Sequence, residues 1–184
     1  MEQLLITTNN YEIHNAVETD DFLNIEGYCC HYNKMNLNSQ VVDEKSFEYF
    51  FSLYNANKLT PRLNYNHSDT VIGGIDKIRT EYDGLYMYAH LNKNIPVNNE
   101  MIIPNILAGD IKSLSTEGFI KDGYKGIEEL ENGYYVKNFV LTGVSVVSTP
   151  SDPDAQFSIT NFVKEYEEWK KSTLATKRKI YLLF

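Results

Sequence analysis

Two stretches of this chain hold side chains that could do nucleophilic chemistry together. The first is "GDIKSLSTEGFI", residues 109–120, where Ser113 and Ser115 are two apart and so share one face of an extended segment. A serine hydroxyl is a weak nucleophile until a general base takes its proton. The second stretch, "LNYNHSD", puts His67 at the end of a strand-like run, just before a polar turn from which an imidazole can project into a cleft. Neither stretch is specific by itself. Serine is a common polar residue on strand faces, and a lone histidine is more often a surface or hydrogen-bonded residue than a base.

Other chemistries find less support. None of the four histidines, His14, His31, His67 and His90, is paired with another at metal-ligand spacing, and the two cysteines, Cys29 and Cys30, are adjacent. No metal and no organic cofactor is expected. "IGGI" lacks the spacing and the lysine of a phosphate loop, and nothing among the 25 acidic residues singles out a glycosidase pair. The net charge of −8 argues against a general nucleic-acid binder, since phosphate contacts need a basic face. The cluster "TKRK" at 176–179 reads as a solvated tail. Adjacent cysteines on a strand point to opposite faces, which speaks for a reduced, cytosolic setting. The opening "MEQLLITTNN" has neither the basic lead nor the apolar run of a signal peptide, and no segment approaches a membrane span of about 20 apolar residues.

The elements that must position these groups are legible in outline. "FLNIEGYCCHYN" (22–33) alternates as a strand. Phe47, Phe50, Phe51 and Tyr54 recur at helical spacing, with Asp43 or Ser46 as cap. Strands are expected at 62–67, 71–80 and 84–91, the last with Leu85, Met87, Ala89 and Leu91 on one face. Residues 98–110 look helical, with Pro104 as a kink and Gly109 as the stop. The serine stretch then forms a strand. Residues 134–150 form one long strand, or two joined by a bulge at Gly143. After the loop "PSDPDA", Ile159, Phe162, Val163, Tyr166 and Trp169 mark an amphipathic C-terminal helix. Strands dominate, without strict βαβ alternation. The expected class is α+β, a mostly antiparallel barrel-like sheet with inserted helices and a C-terminal helix.

Four blocks in this order resemble the prohead (capsid maturation) protease family of tailed bacteriophages, related in fold to the herpesvirus assemblins. They are "IEGYCCHYN" leading to "VVDEKSFEYFF", then "LNYNHSDTVIGGI", "LAGDIKSLSTEGFI" and "FVLTGVSVVSTPSDPDAQF". The resemblance covers about residues 22–158. It implies a protease domain over 1–157, with 1–20 an N-terminal extension, and a C-terminal helix and tail over 158–184. It also implies a serine endopeptidase without cofactor, in the procapsid interior or the host cytoplasm. Its substrates would be the scaffolding protein and the major capsid protein, with self-cleavage late in maturation. Self-association is left open, and neither nucleic acid nor membrane is a partner.

Carried over by position, His67 falls on the general base and Ser115 on the nucleophile, with Ser113 as its rival on the same strand face. The family usually supplies a third group, a glutamate, at the place where this chain has Gly143, and glycine can neither orient nor charge-stabilise an imidazole. Ser145, Asp69, His90 or an acidic residue from elsewhere are the substitutes. The gap keeps a second reading open, that of a catalytically inactive relative acting as an assembly or scaffolding component. A third is an unrelated β-rich binding module.

Overall fold

The computed structural model describes residues 21–160. Along them run β1 (Phe22–His31), β2 (Gln40–Val41), α1 (Glu48–Asn55), β3 (Arg62–Tyr65), β4 (Val71–Glu81), β5 (Gly84–Asn92), α2 (Ile103–Ala108), β6 (Ser113–Ile120), β7 (Ile127–Leu130), β8 (Gly133–Val136), β9 (Phe139–Val147) and β10 (Phe157–Ile159). Seven strands form one sheet in the order β10-β1-β5-β4-β3-β9-β6. Its pairs are antiparallel except β3 with β9. A small second sheet holds β2, β8 and β7.

The large sheet curls until its ends meet. Ser113 at the start of β6 bridges Gln156, just ahead of β10. The Leu114 N–H donates to Ala155 O at 2.8 Å, and the Phe157 N–H donates to Lys112 O at 3.0 Å. The outer strand β6 is thereby joined to the segment that enters β10, and an otherwise open edge is paired. The expected α+β class with a barrel-like, mostly antiparallel sheet is what the chain forms.

Period-two alternation sorts the strands. Leu63, Leu114, Val144 and Val146 point into a core with Leu23, Ile25, Ile72, Leu85, Met87 and Leu91, all buried. Ser113, Ser115, Asn64, Ser145 and Gly143 alternate with them and take the other face of β3, β9 and β6. Cys29 is the extra residue of a bulge between Tyr28 and Cys30, so both cysteines are buried despite being neighbours.

Asp43 caps the 3₁₀ turn Glu44–Phe47 that leads into α1, accepting from the Ser46 N–H while Ser46 Oγ accepts from the Asp43 N–H. Phe47 and Phe50 are fully buried, each contributing about 1.5–3 kcal/mol. The helical segment with Pro104 begins as a π-helical turn, Asn98–Ile102, so the proline sits in the first turn of α2, where its missing N–H costs least. Gly109 ends α2 at φ +84°, the left-handed conformation that glycine adopts freely.

Two expectations need correction. Residues 134–150 are two strands in different sheets, parted at Lys137–Asn138, where Asn138 turns at φ 50°, and not at Gly143. A bulge does lie beside Gly143, with Thr142 as the extra residue on β9. Ile159 belongs to β10, paired with Ile25, and not to a helix. The rest of the expected C-terminal helix, the basic cluster and residues 1–20 lie outside the described residues.

Candidate active site

On the face away from the core, strands β3, β9 and β6 place side chains in two rows. Asn64, Ser145 and Ser115 are cross-strand neighbours in one row, and Arg62, Gly143 and Glu117 in the next. His67 follows β3 directly. Its main-chain N–H donates to Ser145 Oγ at 2.7 Å, and the Asn66 N–H donates to Val146 O at 3.1 Å. Asn66 and His67 both have left-handed backbone, at φ 48° and 56°. Such conformations are uncommon outside glycine, and asparagine and histidine are among the residues that adopt them most readily.

The His67 ring meets a carboxylate. Its Nδ1 is 3.0 Å from Glu117 Oε1. The same oxygen accepts from Asn64 Nδ2 and from Ser145 Oγ, each at 2.7 Å, and Ser145 Oγ also contacts Asn64 Oδ1. Arg62 Nη2 stands 3.6 Å from Glu117 Oε2. Burial alone would raise the Glu117 pKa. The hydrogen bonds from Ser145, Asn64 and His67, with the His67 charge, outweigh that and hold the carboxyl below its ordinary value. A carboxylate only accepts, so a neutral His67 keeps its proton on Nδ1 and leaves Nε2 as the basic nitrogen.

His67, Glu117 and Ser115 line one cleft of about 610 Å³, walled also by the loop Thr149–Asp152 and by His31 and Lys34. Ser115 is almost fully buried, and its Oγ is 3.5 Å from Ser151 Oγ. Asp152 fixes the loop: its Oδ2 accepts from the His31 main-chain N–H and contacts His31 Nδ1, both at 2.8 Å, while Oδ1 accepts from the Asp154 N–H.

The structure thus gathers some of the sequence candidates and separates others. His67 and Ser115 share the cleft. Ser113 lies opposite Val147 at the barrel seam and is not among the residues lining the cleft. Ser145 engages the His67 main chain and Glu117. Asp69 is fully exposed and turned to Arg62, at 3.2 Å. His90 pairs with Asp76 at 2.9 Å. Glu117 was missed as a specific residue, although it lies two places after Ser115 and so shares its strand face. Among the described residues, no group of three or more histidine, cysteine or acidic side chains gathers where it could hold a metal ion.

The curled sheet thus sets a serine, an imidazole and a carboxylate around one cleft. The family model described as caudovirus prohead serine protease matches residues 9–172. The chain belongs to that family, and it is a serine protease of capsid maturation. The capsid assembly protease of bacteriophage T4 has a similar fold, at 19% identity and TM-score 0.53, over 67% of this chain and 80% of that one. The protease of the herpesvirus KSHV, solved with a hexapeptide phosphonate inhibitor, aligns at 11% identity and TM-score 0.48 over 77% of this chain and 65% of that one. That of varicella-zoster virus aligns at 11% and 0.45, over 74% and 63%. No curated protein sequence matches the chain significantly.

Proposed function

We propose that Ser115 is the nucleophile and His67 the general base of this protease, and that it cuts the scaffolding protein and the major capsid protein inside the procapsid. The observation that carries the assignment is a shared cleft: Ser115 and His67 both line it, with His67 Nδ1 turned to Glu117 so that Nε2 is the nitrogen left for the serine. Ser115 Oγ attacks the scissile carbonyl carbon as its proton passes to His67 Nε2. The C–N bond then breaks, the leaving amine takes that proton, and an acyl ester remains on Ser115. Water, deprotonated by the same imidazole, attacks the ester; the bond to Ser115 Oγ breaks, the imidazole returns the proton to Oγ, and the new carboxyl end is released. Main-chain N–H groups of the 149–152 loop, which stands against Ser115, are candidates to hold the oxyanion.

Self-cleavage late in maturation, and synthesis in the host cytoplasm before assembly, belong to the same reading. A carboxylate on the imidazole supports an active enzyme over an inactive relative. Co-expression of the chain with its capsid protein tests the assignment. Wild type and Ser113→Ala are expected to shorten the capsid protein, and Ser115→Ala is not. Capsid protein of equal length with wild type and with Ser115→Ala would sink it.

A further inference from the structure

We propose that Glu117 is the positioning acid of this protease and reaches His67 from the nucleophile's own strand, through space that Gly143 leaves open. The inference rests on the reading of Ser115 and His67 given above.

Glu117 and His67 are not on neighbouring strands. Glu117 sits on β6 and His67 follows β3, with β9 between them. The residue of β9 directly between Arg62 and Glu117 is Gly143, paired with both. A side-chain carbon there would stand 3.1 Å from Glu117 Oε2 and 3.1 Å from Arg62 Cγ, closer than ordinary contact, and any longer side chain would fill the passage. The backbone at Gly143 is not in the left-handed region, so conformation does not demand glycine. What the glycine supplies is room for a carboxylate to cross the strand.

The groups around that carboxylate hold it in place. Asn64 and His67 come from β3 and the turn behind it, Ser145 from β9, and Arg62 from β3 with its charge shared between Glu117 and exposed Asp69. Glu117 is largely shielded, its side chain 14% exposed, and three groups converge on one of its oxygens. That is how a carboxylate selects the Nδ1–H tautomer and fixes the ring plane, and in serine proteases loss of such an acid costs about 10⁴ in turnover.

It follows that positions 117 and 143 are alternative hosts for one acid and exclude each other. Position 143 is nearer to β3 by one strand spacing, about 4.8 Å, so a glutamate there can reach His67 once residue 117 is small. The experiment compares wild type, E117Q, E117A and E117A/G143E. It reads kcat and KM on capsid protein, the rate of phosphonate labelling mapped to Ser115, and the low-field imidazole Nδ1–H resonance of His67. E117Q keeps the size of the side chain, so a folded comparison exists even if E117A is unstable. Loss of the carboxylate is expected to lower kcat by about 10³–10⁴, with KM within about threefold, and to abolish the resonance. E117A/G143E is expected to recover at least about tenfold over E117A. The proposal is overturned if E117Q keeps kcat within about threefold of wild type, if its loss is confined to KM, or if the double variant is no faster than E117A. A wild-type chain that is never labelled at Ser115 instead marks failure of the nucleophile assignment, while the resonance still reports the His67–Glu117 pair.

Discussion

The main-chain N–H of His67 is bonded to Ser145 Oγ, 2.7 Å away across the junction of β3 and β9. The imidazole is therefore aimed by a left-handed turn that a buried hydroxyl pins, and the same hydroxyl contacts Glu117 and Asn64. One side chain couples the backbone at His67 to the carboxylate that its ring meets.

Ser145→Ala should show that coupling. It leaves the His67 N–H without its partner and removes a donor from Glu117, in a position with no exposed surface. An unsatisfied buried polar group costs about 1–3 kcal/mol. At about 2–4 °C per kcal/mol for a chain of this size, the thermal midpoint should fall by roughly 2–12 °C. Cleavage should fall further than lost folding explains, because the ring and the carboxylate both lose a tether. A variant with an unchanged midpoint and full activity would show that Ser145 merely fills space.

Acid should weaken the fold through Glu117. Its carboxyl titrates lower in the folded chain than its ordinary 4.5, so unfolding takes up a proton in that range. The stability this gives is fully present above pH 4.5 and drains away as the pH falls through the lowered folded value. The midpoint of wild type should drop more steeply than that of E117Q below pH 4.5, so that the two curves converge. Asp43 obeys the same sign. Burial would raise it, but Tyr135 Oη and the Ser46 N–H hold it below 3.8, so D43N should begin to converge with wild type below pH 3.8. Parallel midpoint curves for wild type and E117Q from pH 6 to 3, followed by calorimetry, would contradict this account.

Thiol chemistry should be silent. Cys30 borders the cleft, yet burial pushes its pKa up to about 12, against a main-chain hydrogen bond at Leu85, and burial raises Cys29 well above 9. At pH 8 a thiol of that kind is about 10⁻⁴ thiolate, and the thiolate is the nucleophile. Iodoacetamide at pH 8 should leave activity intact and both thiols unmodified by mass, with two adducts appearing only after denaturation. Inactivation in step with a Cys30 adduct would reopen the choice of nucleophile.

Much of the fold was legible because local signals and tertiary packing agree. The apolar alternation of 84–91, the aromatic spacing of 47–54 with its Asp43 cap, and the glycine stop at 109 each name an element that exists. The break at 137–138 was less legible, since "YYVKNFVLTG" has uninterrupted strand character and only Asn138, in its left-handed turn, marks the change of sheet. Order and type single out His67 and Ser115, which line one cleft. Glu117 is not singled out, because its place beside His67 depends on register: which residue of β6 lies opposite Gly143, and that β3 joins β9 in parallel, are long-range facts that no local pattern encodes. Gly143 and the carboxylate that meets His67 are register partners on adjacent strands.

The barrel seam also sets an order in time. Strand β6, which carries Ser115, has β9 on one side and residues 155–157 on the other, and β1 receives its second neighbour only from 157–159. A ribosome delivers these residues long after Ser115 and His67. Until they emerge, the strand of Ser115 has an open edge, and the first strand of the barrel waits on the last. The barrel, and the edge beside Ser115, can thus close only after the last strand has been translated.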